Sequence, residues 1–312
     1  MPWKDRYTVS NERSIRDAEI RWPDGKRCAV SITVDLSLAV GGNGIRAAEL
    51  STPVARFALE EGLDNLLGVL RKHMLRATFA TPAAMVKILG LQLKEILANG
   101  HEIAAEGFRH EDVSGLSREE ERARLDRTTA ILTEIIGKPP AGWFMLSRQA
   151  DTFAGGTISP NTIDLLIEAG YRYYGNGLAD DTPHWWVTDF LSKRALLAMP
   201  YYYHFDDQYF CMFPIKGTGL ETPDMLLRNW RSEFEAQYGR GRHFHMTLHP
   251  QHMGWLHRLK MLDDFLGWMS RHAGLWNPTA EACIAHWETT YPAATHLDLE
   301  PSIWKDHPGS LS

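Results

Sequence analysis

Short apolar runs alternate with amphipathic segments along most of this chain, and the alternation predicts strands and helices in turn. Three runs, at 28–34, 75–81 and 101–105, are rich in apolar and β-branched residues and have the character of buried strands. Between them, leucines recur at helical spacing over 62–73, and the helix-forming segment 83–99 ends at a glycine. The first hundred residues therefore predict strands separated by helices.

The alternation continues to residue 272. Ser117 and Glu120 have the spacing of a capping box and predict the start of a long charged helix that ends at Ile136. The remaining predicted elements are helices at 159–170, 223–238 and 255–272 and strands at 171–174, 196–203 and 243–248. Strands separated by helices form parallel sheets, so the pattern predicts an α/β fold, either a barrel or a doubly wound sheet.

The chain is long enough for one large domain. Its 312 residues, 44% of them hydrophobic, supply the apolar material of a single α/β core. Residues 1–26 are polar and rich in Arg, Asp and Glu, and we predict an N-terminal arm that packs on the body or on a neighbouring subunit. The domain is predicted to span 27–290, followed by a C-terminal tail at 291–312.

Charge and cysteine content narrow the class of protein. A net charge of −6 leaves no general basic surface, so nucleic acid and anionic membranes are poor partners, and a small molecule or sugar is expected. Cys28, Cys211 and Cys283 are far apart and odd in number, which favours a reducing cytoplasm over a disulfide framework. The polar N-terminus and the absence of an apolar run of about 20 residues predict a protein that is neither exported nor membrane-spanning.

Four side chains that can carry chemistry lie at predicted strand ends. Asp35 follows the first strand, Glu106 and His110 follow the strand at 101–105, and His249 follows a late strand just before a proline. The carboxyl ends of parallel strands gather on one face, so these side chains are expected to converge. Each also has a structural interpretation, since an aspartate at a strand end commonly caps a loop and a single histidine is more often structural than catalytic.

Other motifs are weaker. His243 and His245 alternate with His249 along one strand and should face the same side, but they are poorer candidates because they lie inside it. The glycine-rich segment 41–44 lacks the residues of a phosphate-binding loop. The pair Trp185-Trp186 is typical either of a pocket wall or, more often, of a core or subunit interface.

The motifs together resemble the polysaccharide deacetylase (NodB-homology) superfamily, and more closely its cytoplasmic branch of cyclic imide hydrolases, metal-independent allantoinase and peptidoglycan-deacetylase-like enzymes. The matching segments are SITVD at 31–35, LRATF at 75–79, GHEI at 100–103, GFRHE at 107–111, SPNT at 159–162, ADDTP at 179–183 and LHPQHMG at 248–254. The resemblance implies a deformed β/α barrel, usually a homo-oligomer, that hydrolyses a non-peptide C–N bond.

The resemblance also implies roles for individual residues. Asp35 corresponds to the general base, His110 to the second metal-binding histidine and His249 to the general acid. Three positions depart from the family pattern: Ser37 replaces a metal-binding aspartate, Glu106 replaces the first metal-binding histidine, and Phe144 replaces an arginine that orients the base. The predicted catalytic residues are therefore Asp35, Glu106 and His249, and a divalent cation such as zinc would be held by Glu106 and His110, unless the chemistry is metal-independent.

Substrate contacts are assigned to three further residues. Arg148 is predicted to replace the missing arginine, and Trp185 and Asp181 are the other candidates for contact with substrate.

Three functions remain open from the sequence. The first is hydrolysis of a cyclic amide or imide, or deacylation of a small amide, with Asp35 or Glu106 activating water and His249 protonating the leaving nitrogen. The second is a metal-free isomerase or lyase acting next to a carbonyl. The third is a catalytically silent member that binds a ligand.

Overall fold

The computed structural model describes residues 15–38, 43–144, 158–177, 180–189, 192–211 and 223–297. Its strands are β1 Cys28–Asp35, β2 Thr78–Thr81, β3 Glu102–Ala105, β4 Gly142–Trp143, β5 Tyr173–Gly177, β6 His184–Asp189, β7 Arg194–Pro200, β8 His243–Leu248 and β9 Leu275–Trp276. Its α-helices are α1 Ala47–Leu50, α2 Pro53–Phe57, α3 Leu63–Lys72, α4 Gly90–Ala98, α5 Arg118–Ile136, α6 Thr162–Glu168, α7 Gln208–Cys211, α8 Pro223–Arg240, α9 Pro250–Met253, α10 Leu256–Met269, α11 Ala280–Thr290 and α12 Ala293–His296.

The strands form one mostly parallel sheet, as the alternation predicts. Their order is β6-β7-β5-β4-β3-β2-β1-β8, and β9 pairs with β1. Every pairing is parallel except that of β6 with β7. β6 and β8 stand at the two ends of this order and do not pair with each other within the described residues. The sheet is therefore curved around an interior without complete closure.

Alternation along β1 separates a helix-facing side from an interior side. Val30, Ile32 and Val34 are buried in the large apolar cluster that includes side chains of α3 and α10. Ser31 and Thr33 point the other way, where their hydroxyls bond to His243 and His245 of β8. Because successive side chains of a strand alternate between faces, Asp35 shares the interior side with these hydroxyls.

Several element boundaries differ from the prediction. The single helix expected over 83–99 is a short 3-10 turn, Ala83–Met85, followed by α4. The strand expected from residue 75 begins only at Thr78, because Met74 has a left-handed backbone (φ 53°) and the next amide still bonds to Leu70 at the end of α3. The elements that were not predicted include β4, β6, β9 and α11, together with several short helices.

The described part of the N-terminal arm packs on the body. Trp22 is buried and its ring lies 5.8 Å from that of Trp276 and 5.7 Å from that of Trp287. Asp17 pairs with Arg240 and Arg242. The domain limits at 26, 27, 290 and 291 stay predictions.

The three cysteines are all buried and free. None of the helices in the described ranges is both long and apolar enough to cross a membrane.

Candidate active site

Asp35 and His249 lie side by side at the carboxyl ends of β1 and β8. Val34 pairs in register with Leu248, so the next residue of each strand is brought to the same level. His249 Nε2 lies 3.3 Å from Asp35 Oδ2, and the two side chains are 3% and 16% exposed. The carboxylate is thus the more accessible partner, and its contact with the imidazole is suited to proton transfer.

Asp207 fixes the orientation of His249. One carboxylate oxygen of Asp207 lies 2.7 Å from His249 Nδ1, and the other accepts the His249 backbone N–H at 2.9 Å. An imidazole held at Nδ1 by a carboxylate presents Nε2 to the reacting groups. The arrangement Asp207–His249–Asp35 therefore links a buried carboxylate to an accessible one through a single ring.

Asp206 and Asp207 were missed by the sequence analysis. Asp206 accepts hydrogen bonds from the Tyr201 hydroxyl at 2.6 Å and from both nitrogens of Gln208 at 3.0 Å. Both aspartates follow the strand predicted at 196–203, so the rule that sites gather at strand ends could have found them. A 3-10 turn, Tyr203–Phe205, separates them from the strand and weakened that signal.

Glu106 and His110 come from one loop after β3. The Glu106 amide still bonds to Thr81 of β2, which extends the sheet pairing by one residue. His110 has a left-handed backbone (φ 58°), and its Nδ1 lies 3.3 Å from Glu106 Oε1. Non-glycine residues with positive φ are strained and cluster at functional sites. Both side chains are buried.

A close backbone contact holds this loop in place. The carbonyl of Arg109 accepts the Ile45 amide at 2.7 Å. At Gly44, which has φ +71°, an added Cβ would lie 2.4 Å from that carbonyl oxygen, so only glycine fits without a shift.

Burial and neighbouring charges shift the pKa values of three side chains in the site, Asp35, His249 and Glu106. Burial alone would raise the pKa of Asp35, but the positive charge of His249 and its hydrogen bond outweigh this and lower it. Burial likewise opposes the charge on His249, yet Asp206, Asp35 and Asp207 hold its pKa well above the usual value. Burial raises the pKa of Glu106 to about 8, and the charge of Asp35 adds to the increase. These directions favour an Asp35 carboxylate and a His249 imidazolium at neutral pH, and a Glu106 that keeps its proton to higher pH than an ordinary carboxyl.

The residues at the cation position that the resemblance implies are poor metal ligands as a set. The corresponding residues are Ser37, Glu106 and His110. The Ser37 hydroxyl donates to Asp35 Oδ1 at 2.5 Å, so its proton is directed at a carboxylate and the group is a neutral oxygen. A catalytic zinc ion is normally held by three side chains from His, Asp, Glu or Cys, and here two remain. The donor set does not fit the metal site of the family.

A second group of ligand-type side chains lies next to it. The ligand atoms of Asp206, Asp207 and His249 all fall within 4.8 Å of one another, which is the spacing of a metal site. Their atoms already have protein partners: the Asp207 oxygens bind His249, and the Asp206 oxygens bind Tyr201 and Gln208. This bonding agrees better with a proton relay than with a site for a cation.

The other predicted contacts lie away from this group. Asp181 pairs with Arg242, the residue before β8, with 2.5 Å between their charged atoms. At about 3.3 Å per strand residue, that end of β8 is about 20 Å from His249. Trp185 is buried in an apolar cluster with Trp287 and donates its indole N–H to the Tyr291 carbonyl. The prediction that Asp181 and Trp185 line the same site does not agree with these positions.

Arg148, the third predicted substrate contact, lies outside the described residues. The remaining sequence-predicted residues, Asp35, Glu106, His110 and His249, are brought together. The charge of Asp35 acts on all three others.

Comparison with known proteins agrees with the fold and the motifs. The model of the polysaccharide deacetylase family matches residues 53–174. The peptidoglycan deacetylase of Helicobacter pylori is 24% identical over 283 residues, which cover 80% of this chain and 92% of that protein.

Solved structures extend the similarity to most of the chain. A Mycobacterium smegmatis protein named as a polysaccharide deacetylase is 26% identical and aligns with a TM-score of 0.74, over 89% of this chain and 95% of its own. An allantoinase aligns with the same TM-score at 22% identity, over 90% and 95% of the two chains, which shows a shared fold. The predicted resemblance is therefore confirmed: this chain has the deformed β/α barrel of the polysaccharide deacetylase superfamily, with the family domain matched at residues 53–174.

Proposed function

We propose that this chain is a hydrolase of non-peptide C–N bonds that opens a cyclic amide or imide, or deacylates a small amide, without a catalytic metal ion. The observation that carries the proposal is the contact of Asp35 with an imidazole that Asp207 holds in place. The relatives support it, because deacetylases and allantoinases act on C–N bonds.

Asp35 and His249 have the charges that hydrolysis requires. The Asp35 carboxylate accepts a proton from water, and the water oxygen bonds to the carbonyl carbon. The C–N bond then breaks, and the His249 imidazolium gives its proton to the leaving nitrogen. One water is consumed, and the products are a carboxylic acid and an amine or amide, joined in one molecule when the substrate is a ring.

Glu106 is suited to stabilise the negative charge that forms on the carbonyl oxygen. Its Oε1 contacts His110, and its carboxyl lies close enough to Asp35 to share a hydrogen bond with that carboxylate. A substrate oxygen that becomes negatively charged in the site would compete with Asp35 for the Glu106 proton. A neutral Glu106 would then donate a hydrogen bond to that oxygen, the role that a metal ion has in many hydrolases.

A substrate screen in ¹⁸O-labelled water tests the proposal. Purified protein is incubated with hydantoins, cyclic imides, lactams and N-acetylated sugars in water labelled with ¹⁸O, and the products are analysed by mass spectrometry. A product heavier by one labelled water, with the label in a carboxylate, is the expected result. A product of unchanged mass would instead support the isomerase, and saturable binding without turnover would support a silent ligand-binding protein.

Two predictions from the sequence accompany this proposal. A cytoplasmic location and a homo-oligomer stay predictions, and neither is needed for the chemistry.

A further inference from the structure

We infer that Ser37, which stands where relatives have a metal-binding aspartate, is a positioning residue that holds the Asp35 carboxylate in its reactive orientation. The inference rests on the proposed role of Asp35 as the base. In place of the third cation ligand, Ser37 forms two hydrogen bonds that hold this base, and we call them the Ser37 clamp.

The clamp consists of two hydrogen bonds to one oxygen. Asp35 Oδ1 accepts the Ser37 amide at 2.6 Å and the Ser37 hydroxyl at 2.5 Å. The other oxygen, Oδ2, is the one that faces His249 Nε2. With Oδ1 fixed by two donors, the carboxylate cannot rotate freely, and Oδ2 remains available for a water molecule.

Ser37 is itself held by the loop that carries the general acid. It is 6% exposed, and its carbonyl lies 3.4 Å from the side-chain nitrogen of Gln251, two residues after His249. The loops after β1 and β8 are thus joined twice, by the Asp35–His249 contact and by this bond. Such joining keeps base and acid at a constant separation, which catalysis by positioned groups requires.

The same contacts argue against Ser37 as a cation ligand. A hydroxyl that donates to a carboxylate at 2.5 Å is oriented by that bond, and a neutral oxygen is a weak zinc ligand beside His, Cys or carboxylate. An aspartate at this position would place a second negative charge beside Asp35, which is favourable only with a cation to balance it. Serine instead supplies a hydroxyl that donates to Asp35, and it carries no charge that a cation must balance.

Kinetics of three variants test the positioning role. Ser37→Ala retains the backbone bond and loses the hydroxyl, so we expect kcat to fall by about tenfold or more with little change in KM, because the Asp35 carboxylate is then less firmly oriented. Ser37→Thr keeps the hydroxyl and is expected to recover most of the loss. Full activity of Ser37→Ala would overturn the inference.

Asp35→Asn shows whether a negative result concerns the positioning role of Ser37 or the proposed function itself. If Asp35→Asn is inactive while Ser37→Ala is fully active, the clamp is wrong and the base remains. If Asp35→Asn is fully active, the proposed function itself is wrong.

Zinc binding gives a second test that needs no substrate. Equilibrium dialysis against Zn²⁺ should leave the native protein with well under one equivalent, and Ser37→Ala should not change that amount. The double variant Ser37→Asp, Glu106→His restores the ligand types of the relatives and is expected to bind one equivalent. One tightly bound equivalent in the native protein that Ser37→Ala removes would overturn the inference, because Ser37 would then be a ligand.

Discussion

The Nε2 atom of His249 lies 3.3 Å from Oδ2 of Asp35, at the ends of two strands that are about 210 residues apart in the chain but adjacent in the sheet. The opposite charges of the two groups stabilise each other, which lowers the pKa of Asp35 and raises that of His249. A base and an acid are thereby both available near neutral pH.

Asp35→Asn should lower kcat by about 10²–10⁴-fold, because the amide cannot accept a proton from water. The fold should remain intact, since asparagine has almost the same shape and can still accept the Ser37 hydrogen bonds. Steady-state kinetics and circular dichroism check the two parts. Asp126→Asn, on the exposed surface of α5, is the matched control and should have native activity.

Asp207→Asn should lower kcat by about 10²-fold, because the amide holds His249 less firmly and no longer stabilises its positive charge. The pH dependence of kcat/KM distinguishes this from a loss of stability. In a Glu106→Gln background, where the carboxyl with a pKa of about 8 no longer titrates, the alkaline limb should move to lower pH, since a weaker negative environment lowers the pKa of His249. An unchanged alkaline limb in Asp207→Asn would argue that His249 is not the acid.

Glu106 should make the protein less stable as pH rises. Burial raises its pKa from the usual 4.5 to about 8, so the folded protein keeps a proton that the unfolded chain releases. The contribution to the free energy of unfolding is therefore complete below pH 4.5 and is lost as pH increases toward 8. Its size is a few kcal/mol at about 1.4 kcal/mol per pKa unit.

Glu106→Gln isolates this contribution. The variant cannot titrate, so urea denaturation at pH 5 and pH 8 should show a smaller loss of stability than in the native protein. The same pH dependence in both proteins would mean that Glu106 is already ionised at pH 5.

Gly254→Ala should destabilise the loop that carries His249. An added Cβ would lie 2.5 Å from both the Gly62 Cα and the Pro250 carbonyl oxygen, which are backbone atoms that cannot move independently. We expect a loss of about 1–3 kcal/mol and reduced activity. Gly68→Ala, in the middle of α3, is the control: its Cβ meets no atom within 4 Å, and the higher helix propensity of alanine should leave stability equal or greater. Thermal denaturation of the two variants checks the contrast.

The sequence predicted the parts of the fold that local pattern determines. Ser117 caps α5 by bonding to the Glu120 amide, as the capping-box spacing indicates. Strand-end position was enough to bring Asp35 and His249 to one place, because neighbouring parallel strands end at the same edge. β6 was missed because its antiparallel pairing with β7 depends on partners that a local pattern does not reveal.

Contacts between distant segments account for the rest of the site. Asp207 was missed because its role depends on His249, 42 residues later, and not on its neighbours in the chain. Asp181 was placed in the site on a motif alone, whereas its charge is balanced by Arg242 at the other end of β8. Trp185 was proposed as a pocket wall, and its indole is satisfied by a backbone carbonyl within the core.

The most direct test of the central claim is the activity of protein freed of metal. With a substrate from the screen, kcat is measured before and after dialysis against a strong chelator, with the metal content of each sample determined by mass spectrometry. We expect the metal-free protein to keep its full kcat and Asp35→Asn to lose it. Loss of activity on dialysis, restored by adding one equivalent of Zn²⁺, would show that the reaction needs a metal ion and that metal-independent hydrolysis is wrong.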